Sequence, residues 1–286
     1  VIGSTGLSLT FMGTGTSAGV PVIGCKCAVC VSDDPRDKRL RCGAAVRWSD
    51  ADGMPRVVLI DTTPDLRQQA LTYGLERCDA VLYTHNHVDH TFGLDEVRRF
   101  NVLMGRAIDV YAEEHTLEFL RRTFAHIFDK QQNINDSFVA SLIAHRVTPG
   151  EAVELWGVRF TPVRLLHGKL PIVGWRIEAM GRPRRAGEDA EEAARGAFPL
   201  AYCTDVSGIA PETWPRLRGL RTLVLDALRH TRHPTHLTLA QAVEVAGSVG
   251  ADATYFIHMS HELGHAQTQA ELPNGIFLAH DGLTLR

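Results

Sequence analysis

Apolar and polar positions alternate with period two in Leu7-Ser8-Leu9-Thr10-Phe11, the pattern of a strand with one buried face. Short apolar runs bounded by turn residues predict further strands over 44–48, 57–60, 80–83, 108–111, 158–166, 173–177, 200–203, 222–225 and 254–257. Helical spacing predicts helices over 64–73, with Pro64 in the first turn, and over 94–102, 113–127, 239–248 and 261–269. Strands crowd the early part, and the later strands alternate with helices. That order points to a layered α/β sandwich rather than a doubly wound sheet.

The 286 residues are expected to form one domain over 1–286, with a surface excursion at 181–197. The excursion is polar and turn-rich, a basic cluster followed by an acidic one, and fits a solvated loop or short surface helix. Apolar residues are 44% and charged residues 22%, which places the chain among ordinary globular proteins. The formal net charge of -3 leaves no basic excess to release counterions, so nucleic acid is not an expected partner. It leaves a small phosphorylated substrate open. The longest apolar runs, such as Val57-Val58-Leu59-Ile60, are strand-sized, and no membrane span or secretory signal is legible.

Chemistry concentrates in Thr84-His85-Asn86-His87-Val88-Asp89-His90, directly after the apolar run 80–83. Neutral imidazoles with one carboxylate at a strand's carboxyl end suit zinc, manganese or iron. One loop cannot hold two metals. His167, Asp205 and His258 each follow a later apolar run, so four ligand-type positions fall at four strand ends. A second group is Cys25-x-Cys27-x-x-Cys30, which can wrap one zinc but leaves its tetrahedron one ligand short. His261 is the first candidate for the fourth ligand and His265 the fallback. Clustered cysteines of this kind fit metal binding in a reducing cytoplasm better than a disulfide framework. Cys42, Cys78 and Cys203 lack metal spacing and fit buried small hydrophobes.

With its glycine-rich first turn Gly13–Gly19, Asp61 after a strand, the H-x-H-x-D-H loop and the later His, Asp and His, the chain resembles the metallo-β-lactamase superfamily. The resemblance implies an αββα four-layer sandwich with a dinuclear site on one edge. It implies that His85, His87 and His167 hold one metal, that Asp89, His90 and His258 hold the other, and that Asp205 bridges them. Asp61 would orient a ligand histidine. Two divalent ions about 3.5–4 Å apart make a bridging hydroxide available at neutral pH. Asp205, Asp89 and a proton-donating histidine are then the expected catalytic groups.

The segment His230-Thr231-Arg232-His233-Pro234-Thr235-His236-Leu237-Thr238 narrows the reaction. Phosphodiester hydrolysis needs a proton for the leaving alkoxide. In the phosphodiesterase branch of the superfamily a histidine in this region supplies it; His236 matches best, with His233 in reserve. Together with C-x-C-x-x-C and Ile257-His258-Met259-Ser260-His261, the motifs closely resemble the phosphoribosyl 1,2-cyclic phosphate phosphodiesterases of the carbon–phosphorus lyase pathway. That family implies hydrolysis of a small cyclic or nucleotide-like phosphodiester such as 5-phosphoribosyl 1,2-cyclic phosphate. It implies two Mn2+ or Zn2+ ions in the site, one structural Zn2+, and is consistent with a homodimer. The alternatives are a ribonuclease Z-like transfer-RNA nuclease, whose long basic arm the excursion does not match, and a non-catalytic relative of the pyrroloquinoline quinone accessory protein. The turn Gly13–Gly19 could offer backbone N–H groups to a phosphate, and Arg164, Lys169 and Arg176 are candidate contacts for a terminal phosphate.

Overall fold

The computed structural model describes residues 5–180 and 196–286. All of the excursion except Gly196 and Ala197 therefore lies outside the described residues. The first half of the chain runs β1 (Thr5–Gly13), β2 (Gly43–Ser49), β3 (Pro55–Ile60), α1 (Leu66–Thr72), β4 (Ala80–Leu82), α2 (Val88–Thr91), α3 (Arg98–Met104) and β5 (Ile108–Ala112). It continues through α4 (Glu114–Thr123), α5 (Ala125–Phe128), β6 (Leu142–Arg146), β7 (Val153–Leu155), β8 (Val158–His167) and β9 (Leu170–Ala179). The last part holds β10 (Leu200–Cys203), β11 (Gly208–Ile209), β12 (Thr222–Asp226), α6 (Leu239–Val249), β13 (Ala253–Ile257), α7 (His265–Glu271), β14 (Ile276–Leu278) and β15 (Thr284–Leu285).

Two sheets result. One has the order β15-β1-β2-β3-β4-β5-β6, and the other β11-β8-β9-β10-β12-β13-β14 with β7 on β8. Their inner faces meet in a core that includes Phe11, Trp48, Ile60, Phe160, Trp175 and Tyr202. The outer face of the first sheet buries Leu59 and Val81 against Leu66, Phe100 and Leu117 of the helices α1, α3 and α4. The outer face of the second buries Leu223, Leu225 and Phe256 against Leu239 and Ala242 of α6. The layering is the αββα sandwich. Trimming a core aromatic such as Phe160 to alanine would cost about 3–5 kcal/mol.

The topology positions the site. Strands β3, β4, β5 and β6 pair in parallel, as do β10, β12, β13 and β14. Parallel strands end on one edge, so the residues that follow β3, β4, β10, β12 and β13 are delivered to the same rim of the sandwich. Asp61, Asp205 and His258 each follow such a strand with positive φ, at 62°, 57° and 58°. This left-handed turn swings each side chain over the rim and costs roughly 1–3 kcal/mol per residue.

Several boundaries differ from the sequence expectation. The helix expected from His261 begins instead at His265, with Gly264 as its N-cap. The buried Arg39 guanidinium takes the Ser260 and Leu263 carbonyls at 2.9 and 2.6 Å, which holds 260–263 in a turn. The expected 94–102 helix opens as a 3-10 turn, Leu94–Val97, and continues as α3. The 113–127 helix is interrupted at Phe124. Strands β6, β7, β11, β14 and β15 were not legible, being short or at sheet edges without apolar alternation. Three amides of the glycine turn are engaged within the fold. The Gly15, Thr16 and Gly19 amides donate to Leu40, Met259 and Thr16 carbonyls. A Cβ on Gly13 would sit 2.1 Å from the Arg41 carbonyl, so close packing requires that glycine.

His265 is 3% exposed with its Nδ1 unpartnered, and burial pushes its pKa down to about 4. The unfolded chain binds this proton near pH 6.5 and the folded chain does not, so the stabilisation is lost as pH falls from about 6.5 towards 4. The stability of the wild type relative to His265→Gln should fall by about 2–3 kcal/mol between pH 6.5 and 4.5 in parallel denaturant titrations. Parallel curves across that window would contradict the assignment.

Candidate metal centre

The rim gathers the H-x-H-x-D-H loop, His167, Asp205 and His258. Ligand atoms of His85, His87 and His167 lie within 4.8 Å of one another, as do those of Asp89, His90, Asp205 and His258. All of these except the exposed His87 are buried. The His90 and His258 Nε2 atoms each approach an Asp205 oxygen at 3.2 Å, and His85 Nε2 approaches Asp205 at 3.9 Å. Asp205 thus stands between the two groups.

The second contacts fix which nitrogen faces inward. His90 Nδ1 donates to Asp61 Oδ2 at 2.7 Å, and His167 Nδ1 donates to the Thr235 carbonyl at 2.8 Å. Thr84 gives its hydroxyl hydrogen to Asp61 at 2.8 Å, so its oxygen accepts from His85 Nδ1 at 3.0 Å. When neutral, each of these rings therefore turns a hydrogen-free Nε2 towards the others. The Nε2 atoms of His85, His90 and His258 are buried without a hydrogen-bond partner. Buried polar atoms are normally satisfied. Convergent imidazole lone pairs beside carboxylates are what a borderline divalent cation takes, so the residues present fit such ions.

Electrostatics agree. Burial opposes the charged form of Asp205, but His258 and His90 hold its carboxyl well below the usual range. Burial likewise opposes charge on His90, but Asp205, Asp89 and Asp61 outweigh it and hold the ring well above its ordinary value. Burial and the neighbouring His90 push His85 well down. The carboxylates thus draw positive charge into the cluster, as protons or as cations.

His236 lies beside this group. Its ring is 4.6 Å from that of His167 and 4.8 Å from that of His258. Its Nδ1 meets Asp226 Oδ2 at 3.1 Å, and Asp226 Oδ1 lies 3.5 Å from His258 Nδ1. Asp226 is fully buried and was missed in the sequence. The signal was present, since Asp226 closes β12 as the other site residues close or follow theirs.

The cysteine group also closes. The Cys25, Cys27 and Cys30 Sγ atoms lie 3.3, 3.3 and 3.4 Å from His261 Nδ1, so His261 rather than His265 faces the thiols. The Cys30 amide holds the Cys27 thiol down to about 6, a thiolate-favouring setting. Cys42, Cys78 and Cys203 are buried, and burial pushes all three thiols up. Two candidate phosphate contacts are engaged elsewhere. Arg164 pairs with Glu113, and Arg176 donates to the Arg216 and Arg218 carbonyls and to Glu178. Lys169 is exposed.

Asp61→Asn keeps the left-handed conformation accessible but sets an N–H against the His90 or Thr84 donor. Divalent-metal affinity, read by competition with a chromogenic chelator, should fall about 10–100-fold. Wild-type affinity in this variant would contradict the orienting role of Asp61.

A family model described as a beta-lactamase superfamily domain matches residues 56–259. The crystal structure of a diphosphatase from the PhnP family superposes with a TM-score of 0.82 at 44% identity, covering 98% of each chain. An octanoyltransferase of Porphyromonas gingivalis is 35% identical over 274 residues, 95% of this chain, but the chain spans only 50% of that protein's length. Ribonuclease Z of Methanopyrus kandleri is 28% identical over 80% of this chain and 87% of its own. A superfamily model over most of the length and close likeness to the diphosphatase from end to end agree with the rim geometry, and the chain belongs to the PhnP family of metallo-β-lactamase-fold hydrolases.

Proposed function

We propose that the chain is a phosphoric diester hydrolase acting on small phosphodiesters or diphosphates with a dinuclear divalent-metal centre. The observation that carries this reading is the Asp226–His236 pair at the edge of the ligand cluster. His85, His87 and His167 would hold one cation and Asp89, His90 and His258 the other, with Asp205 between them. When bound, such ions supply Lewis-acid charge to phosphoryl oxygens and a more acidic water.

The chain's own residues do the rest. Asp226 fixes the hydrogen of His236 on Nδ1, so the ring presents Nε2 towards the rim, where its ligand atom lies within 4.8 Å of those of His167 and Asp205. Protonated there, His236 is placed to give its proton to the oxygen that leaves phosphorus. A thioester, which expels a stable thiolate, does not call for this extra donor. The 44% identical diphosphatase supports the same chemistry on a phosphorus centre. The net charge of -3 favours a small substrate over transfer RNA, and 5-phosphoribosyl 1,2-cyclic phosphate is the first natural candidate. The octanoyltransferase activity of the half-covered relative is not carried over. Manganese or zinc suits the N/O site, and one zinc suits the thiols of Cys25, Cys27 and Cys30 with His261.

Metal-stripped protein should hydrolyse bis(p-nitrophenyl) phosphate once manganese or zinc is returned. Asp205→Ala should abolish turnover, and His236→Ala should lower kcat by about 10²–10⁴-fold on a diester with an alkoxide leaving group such as 5-phosphoribosyl 1,2-cyclic phosphate, and much less on bis(p-nitrophenyl) phosphate, whose phenolate leaves unprotonated. No turnover by a metal-loaded protein would overturn the reading. Cys27→Ala should lower zinc by one equivalent per chain and reduce the melting temperature; an unchanged zinc content would refute the cysteine site.

A further inference from the structure

The loop between β12 and α6 carries a second histidine that the proposed reaction leaves unused. His233 lies 5.1 Å, ring to ring, from His236, on a stretch that also presents the exposed His230 and Arg232. His236 in turn packs against His167 and His258. His233 is thus one step beyond the proton donor, on the way out from the ligand cluster.

Its tautomer is set by its own loop. The Thr235 backbone N–H donates to His233 Nδ1 at 3.4 Å, and the Thr235 hydroxyl lies 3.1 Å from the same atom. A backbone amide can only donate, so Nδ1 is the acceptor and the neutral ring carries its hydrogen on Nε2. That N–H is a donor with a fixed direction on a half-buried ring. Arg229 keeps the loop in shape, giving Nε and a terminal nitrogen to the Thr231 and Arg232 carbonyls, both at 3.2 Å, with Glu262 at 3.6 Å on its other side. From Ala227 to Leu237 the loop contains no carboxylate. Within the loop the side chains around His233 are therefore donors and cations, while the neighbouring carboxylates Asp226 and Glu262 face His236 and Arg229.

We infer that His233 is a specificity-determining residue, donating Nε2–H to a second phosphoryl group carried by the leaving group. The inference rests on the phosphodiesterase reading above and sharpens it towards diphosphate-linked substrates. In such a substrate, water oxygen bonds to one phosphorus and the P–O bond to the bridging oxygen breaks. The electron pair stays on that oxygen, which takes the proton of His236, and a proton of the attacking water passes to solvent. The departing product is a phosphate monoester whose oxygens adjoin His233. A phenolate leaving group offers no such oxygens.

The test compares ADP-ribose, whose leaving group is a phosphate monoester whichever phosphorus is attacked, with bis(p-nitrophenyl) phosphate. In His233→Ala the ratio of kcat/KM for ADP-ribose to that for bis(p-nitrophenyl) phosphate should fall about 10-fold or more, the worth of a hydrogen bond to a charged group. The Kd for α,β-methylene-ADP, measured calorimetrically on the metal-loaded protein, should rise by a similar factor of about 10. His233→Gln, which keeps an N–H donor at comparable reach, should recover part of both losses. An unchanged ratio would overturn the inference, as would a wild type that cleaves bis(p-nitrophenyl) phosphate and ignores ADP-ribose; that second result leaves the broader reading standing. A wild type that cleaves neither removes both.

Discussion

Buried imidazole nitrogens crowded against carboxylates without a hydrogen bond of their own are the constraint on which the rest of the site depends. Leaving such atoms unsatisfied costs about 1–3 kcal/mol each, and the Nε2 atoms of His85, His90 and His258 are all in that position. The sandwich gathers them because parallel strands from both sheets end on one rim. Left-handed turns at Asp61, Asp205 and His258 add to the cost at the same place. Stability is given up along this edge, and divalent metal between nitrogen and carboxylate donors would restore it.

The surrounding contacts serve that edge. Asp61 orients His90 directly and His85 through Thr84, while Asp226 faces both His236 and His258. One carboxylate thus organises the first sheet's candidate ligands, and another joins His258 to His236, the proposed proton donor. The cysteine group is tied into the same frame. Arg39 is fully shielded in the core, pairs with Asp37, and grips the Ser260 and Leu263 carbonyls that flank His261. Asp37 also accepts the amide of His265. His261 is three residues from His258, so the zinc-type cluster and the rim share one short segment.

Much of this was legible because strand-end chemistry leaves a local trace. An apolar run followed by His or Asp identified His85, His167, Asp205 and His258, and the strands beneath them fall where expected. Asp226 also ends an apolar run, at the close of β12, but the three histidines between 230 and 236 carry the louder local signal. Spacing alone could not choose between His261 and His265. The choice depends on Arg39, more than two hundred residues upstream, holding 260–263 out of helix. Arg164 and Arg176 looked free as isolated cations, but Glu113 and the Arg216 and Arg218 carbonyls, which occupy them, are distant in sequence. The edge strands β6, β14 and β15 were missed for the same reason, since their pairing is set by neighbours rather than by their own pattern.

The most direct measurement is anomalous X-ray scattering from crystals of the metal-loaded protein, recorded on either side of the zinc and manganese absorption edges. Two peaks are expected flanking Asp205, one among His85, His87 and His167 and one among Asp89, His90 and His258, with a third peak of zinc alone between the three cysteines and His261. A fully active protein with no metal beside Asp205, or with one ion held by another residue set, would contradict this assignment.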